Sequence, residues 1–435
     1  MNMKAQDPRV TTVFTNARLI DPEMQSDAMG SLLIESGQIK GTGAPDEAPP
    51  EGAAVIDCEG RALAPGMIDW GVKIGEPGER HKESFRSAGL AAAAGGVTTV
   101  IARPDTMPPI DNPESLEFVT RRAADAPVNI RHMAALTKLR EGREMVEIGF
   151  LADLGAVAFT DGVRVVTDTK LLSRCMAYAR GLNALIVGHP QDPGLSKGAA
   201  ATSGKFASLY GIPSVSPMAE VMGLERDLSL VAMTGCRWHA DQVTTADSLP
   251  ALARAHDSGL DVTAGVSIHH LTLNEYDVGD YRTFFRFTPP LRPETDRLAM
   301  VQAVADGLID VIASFHTPQD EESKRLPFEA AAPGAVGLQT LLPAALRLYH
   351  QGGLTLPQLW RALALNPARR LGLDAGRLAE GAPADLVLFD PDAPFVLDRF
   401  KLLSKSKNTP FDGARMEGRV LGTWVAGKRV FGGKA

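Results

Sequence analysis

Imidazoles and carboxylates recur at the ends of short apolar runs in this chain. Asp161 stands before Gly162, His189 follows Gly188, and His239 and Asp241 lead into Gln242. Farther on, His269 and His270 are adjacent and His316 follows Ser314-Phe315. These residue types suit metal-assisted hydrolysis. A catalytic zinc takes three or four N, O or S ligands with one position open, and lowers the pKa of its bound water from about 15.7 to about 7. The three cysteines (Cys58, Cys175, Cys236) are widely spaced and form no CxxC or Cys/His pattern, so neither a structural zinc nor a disulfide framework is expected. No GxGxxG or GxxxxGK[ST] follows a strand-like run, which leaves a nucleotide-binding reading without local support.

The elements that must position these groups alternate along the middle of the chain. Strand-like runs at Met67–Ile74, Thr98–Ala102, Asn129–Ala134, Ala156–Thr160, Ala184–Gly188, Cys236–Val243, Asp261–Ile268 and Asp310–Ser314 are interleaved with helix-like stretches. The latter include Ser87–Gly96, Pro113–Ala124, Asp168–Ala179 and Leu338–Tyr349. This α/β alternation predicts a (β/α)8 TIM-type barrel over residues 65–374, with a doubly wound open sheet as the alternative. In such barrels the chemistry sits at the C-terminal ends of the strands, where the residues above fall. Short β-prone runs at Thr12–Phe14, Ser31–Ile34, Ala53–Ile56, Ala384–Phe389 and Arg419–Val425, with a turn at Gly427-Lys428, occupy the two ends of the chain. Neither set is large enough to bury its faces alone, so residues 1–64 and 375–435 are expected to pair into one composite β-sandwich domain.

Composition narrows the classes. Of 435 residues, 44% are hydrophobic and 22% charged, ordinary globular values. The net charge of −7, with Lys and Arg scattered singly, argues against a nucleic-acid surface. Met1 to Thr12 lacks the basic-then-apolar pattern of a signal peptide, and no run approaches the ~20 apolar residues that cross a membrane. A reducing cytoplasm is the expected home.

The stretch Pro65–Pro113, with Glu76-Pro77-Gly78, Lys82-Glu83, Ala91–Thr99 and Asp105-Thr106-Met107-Pro108, resembles the first barrel units of the dihydroorotases, members of the amidohydrolase superfamily. The resemblance continues through Gly155–Phe159, Pro289-Pro290-Leu291-Arg292, Pro333-Gly334 with Gly337–Thr340, Asn366–Arg369, Ala384-Asp385 and Ser404–Pro410. Singly these matches are weak, but together their order and spacing are specific. The resemblance implies reversible hydrolysis of a cyclic amide in pyrimidine biosynthesis, with a zinc-activated water attacking the ring carbonyl and an Asp on the last strand moving the proton.

The chain departs from that pattern where the chemistry lies. The family's first-strand His-x-His falls on Gly71 and Lys73, its strand-six His on Gln242, and its catalytic Asp on Phe315, so no catalytic set is intact. Only Asp161 and His189 match ligand positions. The Arg expected before Glu76 is Gly75, and the Asn expected before Thr106 is Asp105, which would meet an anionic substrate with a carboxylate. Zinc is therefore not expected. The Lys73 ammonium is expected to replace the metal's charge by pairing with Asp161.

Plainer roles stand beside these. His189 is either a remnant ligand or a hydrogen-bonded barrel histidine, and Asp161 either shapes a turn or pairs. His239, His269, His270 and His316 are structural or form a relocated metal site, and Arg292 binds an anion or packs. The leading functional expectation is a pseudoenzyme, a non-catalytic dihydroorotase-like subunit whose active-site positions are replaced while framework motifs remain, and a partner of the aspartate transcarbamoylase catalytic subunit, as the resemblance implies for degenerate chains, with homo-oligomers also implied. The alternatives are an active cyclic-amide hydrolase with an atypical zinc site and a small-molecule sensor.

Overall fold

The computed structural model describes residues 11–45 and 48–432, so the reading of residues 1–10 as lacking a signal peptide lies outside the described residues. The two ends of the chain build one eight-stranded sheet. Its order runs Lys428–Phe431, Arg415–Val425, Leu386–Val396, Ala62–Pro65, Thr12–Asp21, Ser26–Glu35 and Gln38–Gly43, with Ala54–Asp57 also on Thr12–Asp21. The short strand Ala62–Pro65 joins the halves, antiparallel to Leu386–Phe389 on one side and parallel to Arg18-Leu19 on the other. Phe14 and Trp424, contributed by opposite ends, meet edge to face at 5.0 Å over a core with Leu32, Ile34, Leu63 and Leu386. Each half thus buries this apolar face against the other, as the marginal stability of isolated hairpins requires, while the opposite face packs on the barrel through Ile20, Val387 and Phe389. Two hairpin tips, Ser36-Gly37 and Ala426-Gly427, have positive φ at both positions and abut: a Cβ on Gly37 would lie 2.8 Å from the Ala426 carbonyl oxygen.

Between these ends the parallel strands close as expected. Met67–Val72, Val97–Ala102 and Asn129–His132 form one run, and Leu185–Gly188, Arg237–Ala240, Val262–Ser267 and Val311–Ala313 another. The fourth strand is reduced to Phe159, which bridges Ala134 on one side and Ile186 on the other. At the opposite seam the Lys73 amide donates to the His316 carbonyl at 2.8 Å, and the Ser314 amide donates to the Asp69 carboxylate at 2.7 Å. Helix Phe85–Ala94 presents Ala88, Ala91, Ala92 and Ala93 inward, so that its backbone comes close; Thr423 of the sheet donates to the Ala93 carbonyl at 2.7 Å. No helix among the described residues is long and apolar enough to cross a membrane.

One buried carboxylate organises the far side of the barrel. Glu220, near the start of helix Met218–Thr234, is fully buried and accepts from the amides of Thr244 (2.8 Å) and Thr245 (2.9 Å), the Ser248 hydroxyl (2.9 Å) and the Arg292 guanidinium (3.2 Å). Arg292 also donates to the hydroxyls of Thr244 and Thr202. This is the satisfied geometry that a buried pair needs, and deleting one member strands the other's charge. Glu220→Gln is expected to lower unfolding stability by about 3–5 kcal/mol in urea titrations, with Glu220→Gln/Arg292→Met recovering part of the loss. Full stability in the single variant would refute this role.

His132, at the end of the third strand, is buried against the edge of Phe85, and neither ring nitrogen has a hydrogen-bond partner among the described residues. Burial, and secondarily Arg131, lowers its pKa to about 4. The folded value lies below the ~6.5 of an unfolded histidine, so the contribution to stability is full above that pH and is lost as pH falls from 6.5 toward 4. Replacing the ring by His132→Phe is expected to remove that loss, giving a variant more stable than the parent by roughly 2 kcal/mol at pH 5 relative to their difference at pH 8. Parallel urea midpoints at the two pH values check the sign.

Candidate functional site

The strand ends meet at a mouth whose altered positions share an unusual backbone. Gly71 (φ +70°), Gln242 (φ +63°) and Phe315 (φ +46°) are all left-handed, a conformation that costs free energy for the two non-glycine residues and requires support from the surrounding fold. The Phe315 ring lies directly over Gly71: a Cβ there would come within 2.8 Å of its Cδ1 and Cε1 atoms. Hydrocarbon therefore fills the space into which a first-strand side chain would project.

Lys73 departs from the expected pairing. Its Nζ lies 2.8 Å from Glu79 Oε2, and Lys82 reaches the other oxygen at 2.6 Å, so the loop after the first strand supplies its own counter-charge. Burial alone would raise the Glu79 carboxyl, but the two ammonium groups outweigh it and hold the carboxyl below the usual glutamate range. Asp161 instead accepts from the Leu136 and Thr137 amides, each at 3.0 Å, and from the Thr137 hydroxyl, while its backbone carbonyl takes the Arg140 guanidinium at 2.8 Å. Asp161 is thus a loop tie ahead of Gly162 (φ +64°), and the expected ion pair with Lys73 is replaced by a nearer carboxylate in sequence. Asp105 pairs with Arg103 at 3.2 Å. Its burial is outweighed by Arg103, then Lys73 and Arg140, which keep it ionised below the ordinary aspartate value.

The histidines go to separate places. His189 is buried with an unpartnered Nδ1, and burial depresses its pKa to about 4. His239 bonds Thr263 through Nδ1 at 2.8 Å under the Trp70 ring, and His269 lies between Phe287 and Phe411. His270 Nε2 lies 3.2 Å from the carbonyls of Pro289 and Pro290, which assigns that nitrogen the proton. His316 accepts from the Gly337 amide through Nδ1 and faces Glu83 at 3.3 Å through Nε2. Glu83 also takes the hydroxyls of Ser87 and Ser404, so the Lys82-Glu83 and Ser404–Pro410 motifs form one strap across the mouth. Arg292 packs with Glu220 and is buried away from solvent.

Among the described residues no three His, Cys, Asp or Glu side chains gather where a metal ion could be held. The zinc implied by this type of barrel does not fit: a phenyl ring covers Gly71, an ammonium paired to Glu79 stands at Lys73, and both Asp161 oxygens are engaged by the Leu136–Thr137 loop. What remains is a cavity of about 170 Å³ lined by Lys73, Arg103, Asp105, Gln242, His269 and Phe315. Beside it, sharing Val163 and Thr288, opens a larger cleft of about 580 Å³ bounded by Arg140, Arg164, Asp161 and His189. Sequence reasoning missed Arg103, Glu79 and Glu220. The first could have been found as the residue immediately after a strand; the others carry no local signal, because their partners are brought in by folding.

The chain matches the Dihydro-orotase-like family model over residues 60–248 and the Amidohydrolase family model over residues 328–431. It is 39% identical to a dihydroorotase of Wolbachia sp. subsp. Drosophila simulans (strain wRi), over 97% of this chain and 96% of that protein. It is 36% identical to a dihydroorotase of Ehrlichia canis (strain Jake), over 98% and 96%. Among solved structures, the L-hydantoinase (dihydropyrimidinase) of Arthrobacter aurescens superimposes with a TM-score of 0.87 at 25% identity, over 97% of this chain and 96% of that one. A barrel flanked by a sheet drawn from both chain ends, carrying these motifs in order and these relatives across its whole length, belongs to the dihydroorotase family of the amidohydrolase superfamily.

Proposed function

We propose that this chain is a non-catalytic dihydroorotase homologue of pyrimidine biosynthesis, a cytoplasmic pseudoenzyme without a metal cofactor that serves as a structural partner of the aspartate transcarbamoylase catalytic subunit. The observation that carries the reading is the Phe315 ring seated on Gly71. It puts hydrocarbon where this chemistry needs a ligand and a proton carrier. The retained framework supports a scaffolding role. The ties of Ser404 to Glu83 and of Asn408 to the Gly334 carbonyl, and the composite sheet, keep the framework together around a mouth whose expected ligand positions differ. Self-association alongside the partner is part of the same reading.

An active cyclic-amide hydrolase with an atypical site is the competing reading, favoured by the dihydroorotase names of relatives at 36–39% identity. Metal analysis of chelator-free protein, together with a dihydroorotate/carbamoyl-aspartate assay in both directions, separates the two. The expected outcome is zinc far below one per chain and no turnover. About one zinc per chain with turnover overturns the proposal. In co-expression, the transcarbamoylase subunit is expected to co-purify and to gain thermal stability; failure of both refutes the partnership while leaving the inactivity to the first assay.

A further inference from the structure

The larger cleft beside the mouth is framed by the loops that follow the third, fourth and fifth barrel strands, and its charges are unevenly matched. Arg140, Arg143, Arg164 and Lys197 line it, against Glu141 and Asp161. The Asp161 carboxylate is turned to the Leu136–Thr137 amides and the Thr137 hydroxyl, and so is already saturated. Glu141 reaches only Arg143, at 3.9 Å. Arg140 and Arg164 donate to backbone carbonyls, of Asp161 and of Leu139 and Arg140 respectively, and neither they nor Lys197 has an ion pair among the described residues. Arg164 and Lys197 thus face one concavity without an ion pair among the described residues, while Arg140 beside them shares the charges of Asp105 and Asp161. Exposed to solvent, the Arg164 and Lys197 charges are placed to meet an anion that enters.

A second observation comes from the cleft wall. His189 lines the cleft, is only 5% exposed, and its Nδ1 has no partner. The ring gives the cleft a polar inner wall. The volume, about 580 Å³, lies within the usual range for small-molecule sites.

We propose that this cleft is a binding site for a phosphorylated small molecule carrying at least two negative charges, held by Arg140, Arg164 and Lys197 with His189 at its inner wall. Planar guanidinium forks suit the oxygens of phosphate, and a flexible ammonium completes the charge. The cleft adjoins the 170 Å³ cavity where Phe315 covers Gly71 and includes Asp161 and His189, so the proposal rests on the non-catalytic reading above, which metal analysis tests separately.

The test uses the full-length protein at low ionic strength with inorganic pyrophosphate as the probe, read by titration calorimetry and thermal shift. Saturable binding with a raised melting temperature is expected, weakening as salt is added. Arg164→Gln/Lys197→Gln is expected to weaken it about tenfold or more, because two charge-assisted contacts are lost. The melting temperature of the unliganded variant should match the parent's, since both side chains are exposed. Arg121→Gln, an exposed substitution on helix Pro113–Ala123, controls for overall charge and should bind like the parent. No saturable binding, equal binding in the double variant, or succinate binding as tightly as pyrophosphate would overturn the proposal.

Discussion

Closure between the last barrel strand and the first governs both the fold and the state of the mouth. Asp69, completely buried, accepts from the Ser314 amide and hydroxyl and so fastens the eighth strand to the first. Burial raises its pKa to about 6 in spite of those bonds, which shows how far the seam lies from water. The same fastening sets the register that carries Phe315 over Gly71 and directs the Lys73 amide to the His316 carbonyl. One interaction thus closes the cylinder and seats the Phe315 ring over Gly71.

The mouth is held by ion pairs between neighbouring residues. Lys73–Glu79–Lys82 and Arg103–Asp105 each satisfy themselves within a few residues of a strand end. Glu83, deeper, ties His316 to the Ser404 strap. These pairs neutralise much of the charge of the mouth among themselves. They do so with short loops, and that leaves the neighbouring cleft, with its carboxylates already engaged, carrying the surplus of positive charge.

All eight strand positions were legible in the sequence, because runs such as Thr98–Ala102 and Asp261–Ile268 are β-branched and bounded by glycine or charge. The composite sheet was legible from the incompleteness of each end. Helix Met218–Thr234 was not singled out, for a physical reason: its buried face includes Glu220 and Asp227, which interrupt the apolar period that would otherwise mark it. At the site, the substituted positions could be read directly, since a missing side chain needs no structure to be seen. Their new partners could not. Lys73 selects Glu79 because the loop after the first strand folds back, and Arg292 selects Glu220 from a helix 72 positions earlier, a proximity that no spacing encodes.

The stitching of the two chain ends also sets a timetable for synthesis. Ala62–Pro65 pairs with Leu386–Phe389, and Phe14 packs on Trp424. At a ribosome adding ~5–20 residues per second, the roughly 320 residues between those strands take about 16–64 s to emerge. Throughout that interval the amino-terminal strands have an apolar face and an open edge without their partners, while the barrel units between them are still arriving. An edge left open that long is exposed to pairing with a second nascent chain. Yield in the cell therefore depends on what shields the first sixty-odd residues before the last fifty appear.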